Sequence, residues 1–338
     1  MRLALAGSRA FLTTACLLLL LGAVVYLAGT TGTYSLTLSQ ILATLTGQGS
    51  ELDAHILLNQ RLPRLVAALV LGAALGLAGM IFQTVSRNPL GSPDIIGFTT
   101  GSATGALTIM LLLPAASAGS PGIGVAAGAL IGGFVTAAFT LLLAQLGGSH
   151  LAQQLILTGI ALGAMLASVN DYLLTRADLE AAEVARTWQY GSLNALTWSQ
   201  TGPIAAALIL LLLPALLATR LVRILELGDD LAAGLGLPVT RTSYLLLGLA
   251  VLLTGGAIAL GGPIGFIALM APQIARRLWA TPGAAIWQSP LLGAVLLAWA
   301  DYWAGHLFAP IQLPVGLVTG ALGGAYLLCL LARPAGRQ

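Results

Sequence analysis

Polar and apolar positions along this chain sort into long hydrophobic runs separated by short polar stretches. Ten runs predict helices, at about 10–29, 61–84, 95–113, 122–146, 151–174, 198–219, 241–261, 264–279, 288–307 and 314–332. Most hold about 20 apolar residues, the length that a hydrocarbon layer of roughly 30 Å demands of a helix. The eighth run is short for a full span, so a tilted or partly buried helix is expected there. The pattern predicts an all-α, polytopic membrane protein with about ten transmembrane helices, and residues 1–338 read as one transmembrane unit.

Composition agrees. The chain is 58% hydrophobic and 7% charged, with a mean hydropathy of +0.95. Its fourteen basic residues are all arginine and stand at the ends of apolar runs, which argues against a nucleic-acid partner and for membrane topology. With the N-terminus inside, Arg2, Arg9, Arg87, Arg220, Arg223, Arg241, Arg276, Arg277, Arg333 and Arg337 face the cytoplasm. Arg61, Arg64, Arg176 and Arg186 then face outward, the asymmetry expected of a multi-pass protein with both termini cytoplasmic. The run Phe11 to Gly29 exceeds a signal-peptide core and reads as a retained first span. Cys16 and Cys329 fall in the first and last runs, where buried packing is expected, with no disulfide framework or cysteine metal site.

Glycine-rich stretches such as "GAALGLAG" and "GGAIALGGPIGF" suit close helix contacts in lipid. Both precede a segment containing Pro and Arg, a hint of two related halves. The outside loop "TRADLEAAEVARTWQYGSLNALTW" reads as an amphipathic interfacial helix with aromatic anchors, or as the mouth of a substrate path. Among polar residues within spans, Gln83, Asn170 and Asp171 either line a pathway or serve in capping and interhelical hydrogen bonds.

The stretch "LELGDDLAAGLGLP" (225–238) concentrates acids in a chain that has few. Asp229 and Asp230 stand where a short helix would begin, Gly236 follows its end, and Pro238 blocks continuation. The acids complement the positive end of the helix dipole, and Leu231 and Leu235 supply an apolar face. A catalytic carboxylate pair would need a desolvated cleft with a base or metal, and the three histidines lie elsewhere. Two readings remain, a docking helix for a soluble partner and a solvated connecting turn.

These residues resemble a family, the ABC importer permeases that take up iron-siderophores, haem and vitamin B12. The resemblance runs along nearly the whole chain, through "RLPR" (61–64), "GAALGLAGMIFQTVSRNPLGSPDIIGFTTG" (72–101), "GPIGFIALMAPQIARR" (262–277), "AD" (300–301) and "LPVGLVTGALGG" (313–324). Within the family, "NPLGSPDIIGF", "GSLNALTW" and "QLPVGLVTGALGGAYL" look most like the ferric-enterobactin type, in which two different permease subunits pair. The resemblance implies a type II ABC importer permease fold in a bacterial inner membrane, with two copies of a cytoplasmic ATPase, a periplasmic or lipoprotein substrate-binding protein, and surrounding lipid as partners. It also implies that Glu226, Leu227, Gly228, Asp229, Asp230, Leu231, Leu235 and Gly236 couple to the ATPase. Arg61 and Arg64 match arginines that receive acidic residues of the binding protein, with headgroup anchoring as the alternative. Ser149, His150, Gln153 and Gln154 match the region of an inner gate.

Three positions depart from the family pattern. Pro272-Gln273 stands for a Pro-His pair, Gln312 for a Glu, and "ADYWAGHLF" has Gly305 and His306 where another arginine is common. Two neutral amides remove titratable groups, so no proton-coupled chemistry is expected there. Without lysine the chain has no phosphate-binding loop, so ATP hydrolysis belongs to a partner, and the chain needs no cofactor of its own. The rival readings are the same machinery importing cobalamin or haem, an intramembrane enzyme, and an ion-driven carrier. The last two require ligand spacings or intramembrane acid pairs that the sequence lacks.

Overall fold

The computed structural model describes residues 2–113, 121–146, 151–280, 283 and 285–332, and all regular structure among them is helical. The helices are α1 (Arg2–Thr30), α2 (Leu38–Leu45), α3 (Glu51–Val85), α4 (Phe98–Leu112), α5 (Pro121–Leu146), α6 (Leu151–Arg176) and α7 (Leu179–Gln189). They continue as α8 (Trp198–Leu217), α9 (Thr219–Leu225), α10 (Asp229–Gly234), α11 (Val239–Gly261), α12 (Ile267–Trp279), α13 (Gln288–His306) and α14 (Val315–Leu331). The ten apolar runs correspond to α1, α3 to α6, α8 and α11 to α14. Among the described residues, six helices are long and apolar enough to cross a membrane by themselves.

Helix α3 is the centre of the bundle and packs against α8, α11, α12 and α13. A helix apolar all round belongs inside, and α3 buries nearly every residue from Leu71 to Thr84. Its glycines set the spacing. A Cβ on Gly72 would lie 2.3 Å from the Gly293 carbonyl oxygen, one on Gly76 2.3 Å from that of Ser289, and one on Gly79 1.7 Å from that of Ala268. The backbones of α12 and α13 therefore touch that of α3 directly. A second crossing of this kind joins α4 to α5, where a Cβ on Gly105 would come within 2.0 Å of the Gly128 oxygen. In lipid, where burial of apolar surface gives no advantage between helices, such contact is what holds them.

Two helices start inside the bundle. Phe98, the first residue of α4, packs against Gly133, midway along α5, and makes an edge-to-face contact with Phe134 at 5.8 Å. Helix α12 begins beside Gly79 in the lower half of α3, after an extended break at 262–265, which explains why its run looked too short. Each start sits on a left-handed residue, Gly97 at φ +75° and Phe266 at φ +68°. The side chain of Phe266 is accommodated because α14 presents Gly323 to its ring.

Helix α1 lies at the periphery, held by indole hydrogen bonds from Trp279 to Thr14 Oγ1 (3.1 Å) and from Trp299 to the Leu20 carbonyl (3.1 Å). Cys16 and Cys329, expected in packed positions, are both exposed on the outside of the bundle. They face away from the core because α1 and α14 are outer helices whose far sides no other described element covers.

The chain passes define two ends. Arg61, Arg64 and Asp301 share what is here termed the upper end, and Arg9, Arg87, Arg223 and Arg276 share the lower end. Substituting Gly79→Leu should prevent the α3–α12 contact and cost more than the roughly 1–3 kcal/mol typical of overpacking, because backbone rather than a movable side chain stands in the way. Gly22→Leu, with open space around its Cβ, should be tolerated. Size-exclusion profiles and thermal melting of the two detergent-purified variants test this.

Candidate functional site

At the lower end the chain leaves α8 through α9 and turns at Gly228, whose φ of +104° suits glycine. Helix α10 then runs only from Asp229 to Gly234. Gly236 at φ +84° closes it, with the Leu237 amide donating to the Ala232 carbonyl at 3.0 Å and the Gly236 amide to that of Ala233 at 2.9 Å. Ala232 is buried, so one side of this small element seats on the bundle. The other side is apolar and uncovered. Leu227, Leu231 and Leu235, spaced four apart, are 54%, 63% and 66% exposed. Leu231 and Leu235 were expected to share a face, and Leu227 lies just ahead of the turn at Gly228, outside α10.

Asp229 and Asp230 are exposed rather than set in a cleft, and no group of His, Cys, Asp or Glu among the described residues could hold a metal ion. Asp229 has a mechanical partner instead. Arg87, in the loop after α3, donates from Nη2 to Asp229 Oδ1 at 2.5 Å. The pair is solvent-exposed and stabilises the fold by at most about 1 kcal/mol, but it ties α10 to the end of the central helix. Sequence reading placed both residues at one end without pairing them, since 142 positions separate them.

At the upper end, α3 passes through wider π-type turns at His55–Arg61 before Pro63. Such turns relieve the clash that the proline would make with the Asn59 carbonyl in a regular helix. Beyond them Arg64 forms a two-pronged ion pair with Asp301 of α13, Nε to Oδ2 at 2.7 Å and Nη2 to Oδ1 at 2.9 Å, and its Nη1 reaches Gln312 Oε1 at 3.3 Å. Arg61 donates to the carbonyls of Gly29 and Tyr34, pinning the link from α1 to α2. Both arginines, expected as free forks for a partner's carboxylates, thus have intramolecular partners. In the same link the Tyr34 hydroxyl donates to Asp53 at 3.1 Å, and that carboxylate raises the phenol above its ordinary pKa.

The polar residues within the spans do not converge. Gln83 is buried and donates to the Leu269 carbonyl at 3.0 Å, joining α3 to α12. Asn170 is buried and turns toward α4, its amide 3.4 Å from the Thr100 carbonyl, whereas Asp171 faces outward from α6. Ser149 and His150 lie outside the described residues, and Gln153 and Gln154 stand in the first turn of α6. The neutral amide at 273 has a role that sequence reading did not identify. Gln273 donates to the Pro89 carbonyl (2.6 Å) and accepts from the Tyr326 hydroxyl (3.0 Å), joining α12, the Arg87 loop and α14.

The chain matches the FecCD transport family over residues 17–333. It is 46% identical to the ferric enterobactin transport system permease protein FepG of Escherichia coli (strain K12), over 96% of this chain and 97% of that protein. It is 37% identical to the hemin transport system permease protein HmuU of Yersinia pestis, over 82% and 84%. A solved inward-facing conformation of a putative metal-chelate type ABC transporter superposes with a TM-score of 0.82 at 26% identity, covering 93% of this chain and 97% of that one.

Removing one member of the Arg64–Asp301 pair leaves a largely buried charge alone. Asp301→Leu or Arg64→Leu should each destabilise by about 2–4 kcal/mol, and the double substitution should recover part of that loss. Thermal melting of the three variants closes the cycle, and additive losses would show that the two groups act independently.

Proposed function

Since the chain belongs to the FecCD transport family, we propose that it is the permease subunit of an ATP-binding-cassette importer that carries a ferric siderophore, of the catecholate class, across the bacterial inner membrane. The high identity to an enterobactin permease over nearly full length supports this cargo above haem, whose permease is more distant. The path runs between this chain and a second, non-identical permease, as in the ferric-enterobactin type that its motifs resemble. The chain itself performs no covalent step.

The observation that carries the mechanism is α10. A short helix with exposed Leu231, flanked by exposed Leu227 and Leu235, and with Ala232 buried against the bundle suits a groove on a soluble ATPase. Glu226 to Leu237 would then be the coupling segment. Movement of the ATPases on binding nucleotide would reach α3 through Arg87 and Asp229, and α12 through Gln273 and the loop that carries Arg87. Arg9, Arg87, Arg220, Arg223, Arg241, Arg276 and Arg277 at the lower end, against Arg61, Arg64, Arg176 and Arg186 at the upper, support a cytoplasmic lower end and cytoplasmic termini.

The substrate-binding protein docks at the upper end. Asp301 neutralises Arg64 there, so of these two arginines Arg61 contributes the positive potential. Steering of an acidic partner would follow, more in rate than in affinity. A gate at Ser149, His150, Gln153 and Gln154, and a pathway contribution from Gln83, Asn170 and Asp171, remain part of the proposal. Of these, Asp171 has the geometry to face a path on the outer side of α6.

Proteoliposomes holding this chain with its companion permease, ATPase and binding protein should take up iron-labelled ferric catecholate only with ATP. Preferred uptake of haem or cobalamin would keep the machinery and overturn the cargo. Leu231→Arg should leave membrane insertion intact and reduce ATP-dependent uptake at least tenfold, and undiminished uptake by that variant would remove the coupling role of α10. Reversing one charge with Arg87→Asp should lower uptake, and the exchange Arg87→Asp with Asp229→Arg should restore much of it.

A further inference from the structure

Behind the coupling segment lies a cavity of about 760 Å³, bounded by the lower ends of α3 and α12, the start of α13, and the chain that follows α9. Its size falls within the roughly 300–1,000 Å³ usual for small-molecule sites. Three arginines from three different elements line it, Arg87, Arg223 and Arg276, with Glu226 as the acid among the lining residues. Arg87 is paired with Asp229, but Arg223 has no ion pair among the described residues, and Glu226 faces Arg276 without closing one. The cavity therefore carries surplus positive charge. Two of its lining groups are also unsatisfied. The Oε1 of Gln83, which accepts no hydrogen bond, and the Nε of Arg276, which donates none, are sealed beneath the cavity wall.

The place of the cavity narrows the ligand. Trp287 is 60% exposed beside it, immediately before α13, as aromatic residues are at a membrane boundary. Leu225, Leu227 and Ile286 give the wall an apolar part next to the guanidiniums. A ligand with a phosphate for the arginines and an apolar tail for the remaining wall satisfies both at once. Planar guanidinium groups recognise phosphate well, and basic pockets between helices on the cytoplasmic side suit anionic headgroups. An ammonium headgroup would meet the surplus positive charge and be disfavoured.

We propose that this cavity binds the headgroup of an anionic phospholipid of the phosphatidylglycerol type from the inner leaflet, placing a lipid directly behind the ATPase-coupling segment. The inference rests on the orientation given under Proposed function. Because binding is measured without transport, failure of either reading is visible separately.

The test is native mass spectrometry of the full complex, permeases with ATPases, titrated in detergent with phosphatidylglycerol, phosphatidylethanolamine or free glycerol 3-phosphate. Phosphatidylglycerol should bind saturably and in preference to phosphatidylethanolamine, and free glycerol 3-phosphate far more weakly. Arg223→Gln and Arg276→Gln should each weaken phosphatidylglycerol about fivefold. Equal affinity for the two lipids, or unaltered binding in both arginine variants, would overturn the proposal. Equally tight binding of free glycerol 3-phosphate would reassign the site to a soluble anion. Binding to the permease pair that disappears when the ATPases are added would show that protein fills the cavity in the assembled importer.

Discussion

Direct backbone contact between helices is the constraint on which the rest of this structure depends. Along α3, Gly72, Gly76 and Gly79 let the chains of α12 and α13 come so near that no Cβ would fit. Lipid offers no hydrophobic gain for helix association, so short-range packing has to hold the bundle together. Once α3 is locked to α13, Arg64 meets Asp301, and once it is locked to α12, Gln83 reaches the Leu269 carbonyl. The polar bonds are made possible by the glycine contacts, and in turn they fix the register in which the helices touch.

The same architecture separates two kinds of polar chemistry. At the upper end Arg61, Arg64 and Asp301 are turned onto one another and onto backbone carbonyls. At the lower end Asp230, Arg223, Leu227, Leu231 and Leu235 are all presented to the outside.

Much of this could be read from sequence because hydrophobic length is a direct record of bilayer thickness. The ten runs lie close to ten helices, and the punctuation of Asp229, Gly236 and Pro238 marks α10 closely. What could not be read depends on residues distant in the chain. Arg64 looked available because nothing near it in sequence is acidic, and its partner stands 237 residues away. Gln273 looked like the loss of a titratable group at a departing position, whereas its amide both donates and accepts, bonds that need the Arg87 loop and Tyr326 to be placed first. Phe266 at a positive φ is equally invisible, since only the gap left by Gly323 makes it tolerable.

The length of α3 has a geometric consequence. Its 35 residues from Glu51 to Val85 form one nearly continuous rod of about 52 Å, joined near its lower end to α10 by Arg87 and Asp229 and packed tightly through its middle. A rod clamped in this way acts as a lever. A tilt of only about 5° about its lower end would displace Glu51 by roughly 4–5 Å at this length, so a small rotation imposed from below becomes a displacement the width of a helical turn on the opposite side of the membrane.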